Sequence, residues 1–145
     1  MIARGCVAAI ALLSFVYTGG AQAAPIAPPV LASNAVIRPA PAGFPSTAAY
    51  VTLKSLRDRP ERLLSVHCDC AADVMPHQST SDGGIMRMRP ATVVVPPKGE
   101  VALKPGGLHL MVMGLKHPIH LGDVVTMTLR FDHAAPVRVR FTAKA

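Results

Sequence analysis

Tryptophan is absent from the 145 residues, and aromatic side chains of any kind are scarce, with two tyrosines and four phenylalanines. Beyond residue 23 the aromatics are Phe44, Tyr50, Phe131 and Phe141. Basic residues are scattered (Arg57, Arg59, Arg62, Arg87, Arg89, Arg138, Arg140) rather than gathered in a run. Without stacking surfaces or a basic stripe, nucleic-acid binding is set aside. The net charge of +7 favours solubility and an acidic partner surface instead. The eight acids (Asp58, Glu61, Asp69, Asp73, Asp82, Glu100, Asp123, Asp132) show no paired pattern, and no serine sits in a nucleophile motif, so no enzyme is expected. Three cysteines are far too few for a disulfide framework, and a hydrophobic core must hold the domain together. No window carries a convincing helical period, and 14 prolines would break most candidates.

The first 23 residues, "MIARGCVAAIALLSFVYTGGAQA", read as a signal peptide. Arg4 supplies a basic start, an apolar run extends from Cys6 to Tyr17, and Ala21-Gln22-Ala23 is a small-x-small cleavage pattern. The apolar run is shorter than the ~20 residues of a membrane span, so no stable membrane insertion is expected after cleavage. Cys6 opens that run rather than closing it, which argues against a lipid anchor. Loss of Arg4 lowers the formal charge from +7 to +6. The Pro- and Ala-rich stretch "AAPIAPPVLAS" reads as a loose arm over 24–33, leaving one domain over 34–145.

That domain alternates with period two between Pro and Gly breaks, the pattern of an all-β fold. "AAYVTLKS" (48–55), "RLLSVH" (62–67), "GIMRMRP" (84–90), "TVVV" and "EVALK" are strand candidates. The clearest are the last two. In "DVVTMTLRF" Val125, Met127, Leu129 and Phe131 share a face, and in "PVRVRF" Val137, Val139 and Phe141 do. One buried and one solvated face implies two antiparallel sheets packed together, a sandwich of about seven to nine strands.

What the chain does have is an unusual gathering of imidazole and thioether. "GGLHLMVMGL" (106–115) places His109 and Met111 on one face of a strand, since residues i and i+2 point the same way. "HQSTSDGGIMRM" (77–88) carries His77, Met86 and Met88, with His77 expected in a polar loop. A strand methionine is ordinarily core filler and a lone histidine ordinarily a surface group. Together they make a neutral, soft donor set, and thioether sulfur selects Cu(I) where zinc would prefer thiolate, imidazole or carboxylate.

The spacing resembles the periplasmic copper chaperones of the PCu(A)C family. Their hallmark is His, ten residues, Met, about twenty-one residues, then His-x-Met. Here ten residues separate His77 from Met88, twenty separate Met88 from His109, and "HLM" closes the pattern. "AAYVTL", "HQSTSDGGIMRMRP", "LKPGGLHLMVMGLKHPIHLGD" and "VTMTLRF" also look like family segments, and cover most of the chain after the signal. The resemblance implies a cupredoxin-like Greek-key β-sandwich that binds one Cu(I) per chain through His77, Met88, His109 and Met111. It further implies a periplasmic monomer that passes copper to a partner protein. The implied acceptor is the dinuclear copper site of cytochrome c oxidase or another assembly chaperone. Two departures stand out: Gln78 follows His77 where some relatives carry a second His next to a Met, and the chain closes on "FTAKA" without a His- and Met-rich tail.

Met86 and Met113 read as a soft hydrophobic shell, with direct ligation left open. "HCDC" (67–70) admits a disulfide, a free dithiol or a second copper clamp, of which an inert or disulfide pair is favoured because no spaced partner pair exists. His117, His120 and His133 read as turn residues. Two other functions stay in view. A blue-copper electron carrier would need a cysteine thiolate beside two histidines, and a structural or adhesive sandwich would use its methionines only as core.

Overall fold

The computed structural model describes residues 29–145. The expected signal peptide and the first part of the expected arm lie outside those residues. Among the described residues the fold is all-β. Seven strands close a ring: β4 (Ala71–Asp82), β8 (Leu108–Leu115), β2 (Ser46–Ser55), β1 (Val30–Ile37), β10 (Val137–Ala143), β9 (Val124–Phe131) and β3 (Glu61–Cys68), which returns to β4. Three strands flank the ring: β5 (Ile85–Pro90) on β4, β6 (Val94–Val95) on β3 and β7 (Glu100–Ala102) on β2. Only β1 and β10 run parallel; the other pairs are antiparallel. This is a cupredoxin-like sandwich whose two sheets join at their edges, which leaves few open edges.

The alternating strands behave as their sequences dictate. Val125, Met127, Leu129 and Phe131 of β9 are buried, and so are Val139 and Phe141 of β10, while Arg130, Arg138 and Arg140 face water. Leu110 and Val112 of β8 meet them from the other sheet, with Val51 and Leu53 of β2 beside them, all within 1% of full burial.

Two segments depart from the sequence reading. The arm expected over 24–33 is already strand at Val30, which is 1% exposed. A bulge between Ser33 and Val36, with Asn34 at φ +52°, breaks the alternation of β1. An extra residue shifts every later side chain to the other face, so a pattern of period two cannot register the strand. His77, expected in a loop, lies in the middle of β4. Its sequence "AADVMPHQSTSD" is too polar to read as a strand, and it is held by pairing on both edges rather than by burial. One edge meets β8 over 71–78; the other meets β3 at Val74 and β5 over 77–82. Pro76 sits where β4 changes partner. Its carbonyl accepts from Ala91 N–H at 3.0 Å, and its missing donor falls on that same edge, in the gap between β3 and β5, where it costs no ladder bond.

At the β3–β4 turn Cys68 and Cys70 form a disulfide with Cα atoms 5.1 Å apart, both cysteines buried. Neighbours on one face of a strand stand about 6.7 Å apart, and the turn at Asp69 and Cys70 brings the pair within bonding range. The disulfide leaves no thiolate for the copper clamp.

Candidate metal centre

β4 and β8 run antiparallel with His77 directly opposite His109 and Met75 directly opposite Met111. Directly opposed residues share a sheet face, so Met75-Pro76-His77 and His109-Leu110-Met111 meet as mirror-ordered triplets. Imidazole faces imidazole and thioether faces thioether, while Leu110 points into the core at 0% exposure. On the far side of β4, Met88 of β5 pairs with Ser79 and Met86 pairs with Ser81. Ser79 and Ser81 share parity with His77, so Met86 and Met88 lie on the same face again. Met113, opposite Asp73, extends the row at the other end. Five of the seven methionines therefore lie on the same sheet face as the two histidines. Of the remaining two, Met127 is fully buried in the core and Met1 lies outside the described residues.

The four residues that the resemblance implies, His77, Met88, His109 and Met111, thus lie on one sheet face, contributed by three strands. Met75 was not singled out. The signal that could have found it is local: Met-x-His at 75–77 is His-x-Met at 109–111 read backwards, and antiparallel strands make those equivalent.

Hydrogen bonding prepares the imidazoles. A carbonyl oxygen only accepts, so His109 Nδ1 carries the proton and donates to Gly107 O at 3.1 Å. The same carbonyl accepts Ser79 N–H at 3.1 Å, which ties the turn before β8 to β4. In neutral His109 the lone pair is then on Nε2, and that atom is buried without a hydrogen-bond partner. His77 Nδ1 is likewise buried and unpartnered. A buried polar atom left unpaired costs about 1–3 kcal/mol, and here two occur on rings whose centroids lie 6.1 Å apart at 23° between planes. Two unpaired nitrogens on neighbouring rings are groups that a metal ion could satisfy. The backbone carbonyl behind His109 is the kind of outer partner that fixes a metal-binding tautomer.

Other histidines differ in kind. His67 lies 3.0 Å from Asp69, His120 3.5 Å from Asp123, and His133 3.1 Å from Asp132. These are exposed or half-exposed surface pairs, and His117 is exposed beside the turn after β8. Among the described residues His77 and His109 have no carboxylate partner. The methionines on their sheet face are open to solvent, Met88 at 60% exposed, Met86 at 58% and Met75 at 38%, whereas His109 is 3% exposed. Thioethers beside two imidazoles favour a soft cation, and the absence of a carboxylate partner makes the set poorly suited to a hard one.

The family model described as "Putative lipoprotein LpqE-like" matches residues 30–143. A curated relative from Leifsonia xyli subsp. xyli, named Putative lipoprotein Lxx21020, is 30% identical over 102 residues, 68% of this chain. The chain spans 61% of that relative's length. Among solved structures, the Cu(I) form of DR1885 from Deinococcus radiodurans is 31% identical, with TM-score 0.60, covering 87% of this chain and 83% of that one. A copper-bound PCuAC domain from PmoF2 superposes with TM-score 0.68 at 22% identity, over 80% of this chain and 92% of its own, a likeness of fold.

Proposed function

The chain belongs to the LpqE-like family, within the PCu(A)C group, and from that premise we propose that it is an exported metallochaperone that binds one Cu(I) and hands it to a partner protein. The observation that carries this reading is that His77 and His109 stand directly opposite on β4 and β8, each with a buried ring nitrogen that has no hydrogen-bond partner, on a sheet face that also carries methionines. His77, Met88, His109 and Met111 are the proposed ligands. Copper is cargo here rather than a resident cofactor. The ligands are neutral and the thioethers exposed, so an acceptor's sulfur or imidazole can replace them one at a time without release of the free ion. Copper-bound relatives of the same fold support the choice of metal. A lipoprotein-type family name supports an exported, envelope-associated protein. In this reading the protein is a periplasmic monomer, released from its signal peptide, that delivers copper to the dinuclear site of cytochrome c oxidase.

The blue-copper alternative loses its thiolate, because Cys68 and Cys70 are bonded to each other. The test is an anaerobic Cu(I) titration against a competing chelator. Replacing any of the four ligands by alanine should weaken binding, while Met127→Ala in the core should lower stability by roughly 2–5 kcal/mol and leave copper affinity alone. Ligand variants that hold copper as the parent does would overturn the assignment.

A further inference from the structure

We propose that Met75 is an additional thioether ligand, and that Met75 and Met111 together form a sulfur pair across β4 and β8, at the end of the site away from Met88. This rests on the copper reading above but adds a donor that the His-x10-Met spacing does not contain. Met75 and Met111 are directly opposed, and each stands two residues from its own histidine. Any ion held between the two rings is therefore as near to the Met75 backbone as to the Met111 backbone.

Met88 is placed differently. It lies one strand across from β4 and two residues beyond His77, on the opposite side of the histidine pair from Met111. With strands about 4.8 Å apart and same-face neighbours about 6.7 Å apart, Met88 and Met111 stand roughly 16 Å apart at Cα on a flat sheet. The same spacing puts Met75 and Met111 about 5 Å apart. A donor set using Met88 and Met111 alone must reach inward from both ends. Met75 with Met111 needs no such reach, and β4 and β8 by themselves then supply two nitrogens and two sulfurs. Met88, on the fully exposed edge strand β5, becomes the donor most readily exchanged for one from a partner. Met75 is also 38% exposed and so is not consumed as core filler.

The experiment compares the parent, Met75→Leu, Met88→Leu and the double variant, using anaerobic Cu(I) competition titration and a count of copper–sulfur neighbours by X-ray absorption. Leucine preserves the apolar volume and removes only the sulfur. Met75→Leu should weaken Cu(I) binding by about tenfold or more, the lower end of what losing even an outer partner costs a metal site. It should also lower the sulfur count by one, and the double variant should fall further than either single. A measurement on the parent alone guards against misfolding: the Met75 ε-methyl NMR signal should move with the first equivalent of Cu(I). An unchanged affinity and sulfur count in Met75→Leu, or a methyl signal that ignores copper, overturns the proposal. A parent chain that binds no Cu(I) defeats the functional reading instead, and the two failures are told apart by that first titration.

Discussion

At the scale of single residues, Glu61 shows how an acidic cluster differs from the sulfur-lined site. Glu61, Asp132 and His133 bring three potential donor atoms within 4.8 Å of one another, yet the Glu61 carboxylate is already committed. It is fully buried, pairs with Arg57, and accepts backbone N–H groups from His133 and Ala134 at 3.1 and 2.9 Å. Asp132 accepts Arg62 N–H at 2.9 Å, and that bond, with the neighbouring His133, holds its carboxyl below the ordinary value of 3.8. These groups tie the turn after β9 to the start of β3. Glu61→Ala should therefore cost about 3–5 kcal/mol, the usual result of stripping one partner from a buried ion pair, read as a lower urea midpoint. Cu(I) affinity of the folded variant should not change. His77 and His109 present the opposite condition, with nitrogens that the protein leaves unpaired.

At the scale of elements, β4 decides where the site forms. It is 12 residues long and changes partner from β3 to β5 along one edge while keeping β8 on the other. His77 sits just past that change, so donors from β5 and β8 converge on it. Gly114 in β8 enforces the close β4–β8 approach. Its φ is +66°, and a Cβ added there would stand 2.7 Å from Ala72 Cβ. Gly114→Ala combines left-handed backbone strain with that clash, and should destabilise by roughly 1–3 kcal/mol in a thermal or urea melt. Because the same pair of strands carries His77 and His109, copper affinity should fall as well. β5, at the open edge, exposes Met86 and Met88 on one face and Arg87 and Arg89 on the other. Charges on an edge strand discourage indiscriminate strand pairing while leaving the methionines free to meet a partner.

For the whole molecule, ligand exchange and folding are linked. In the proposed site Cu(I) would be held by residues from three strands and so require the folded sheet, and copper should then stabilise it by mass action, about 2.7 kcal/mol at a free concentration one hundred times Kd. Anaerobic melting with Cu(I) should show a higher Tm in the parent. His109→Ala should abolish the rise, because the chain then lacks the imidazole that Gly107 O holds in place. The Cys68–Cys70 disulfide lies beyond Ala71 at the start of β4, remote from His77 along the strand. Its reduction should therefore leave the copper-dependent shift in place.

Sequence alone was sufficient for the class of fold, and it nominated imidazole and thioether side chains as the candidate donors. β9 and β10 alternate cleanly because each has one face in the core and one in water, and burial of that kind writes itself into residue order. His77, Met88, His109 and Met111 could be nominated as ligands because their spacing resembles that of the copper chaperones. Tertiary structure decided the rest. β1 escaped notice because a bulge resets its register, and β4 because hydrogen bonds on both edges, rather than apolar burial, hold it extended. Met75 acquired its place only when β4 lay against β8, since which residue faces which across two strands depends on their pairing, and that is settled by the folded sheet.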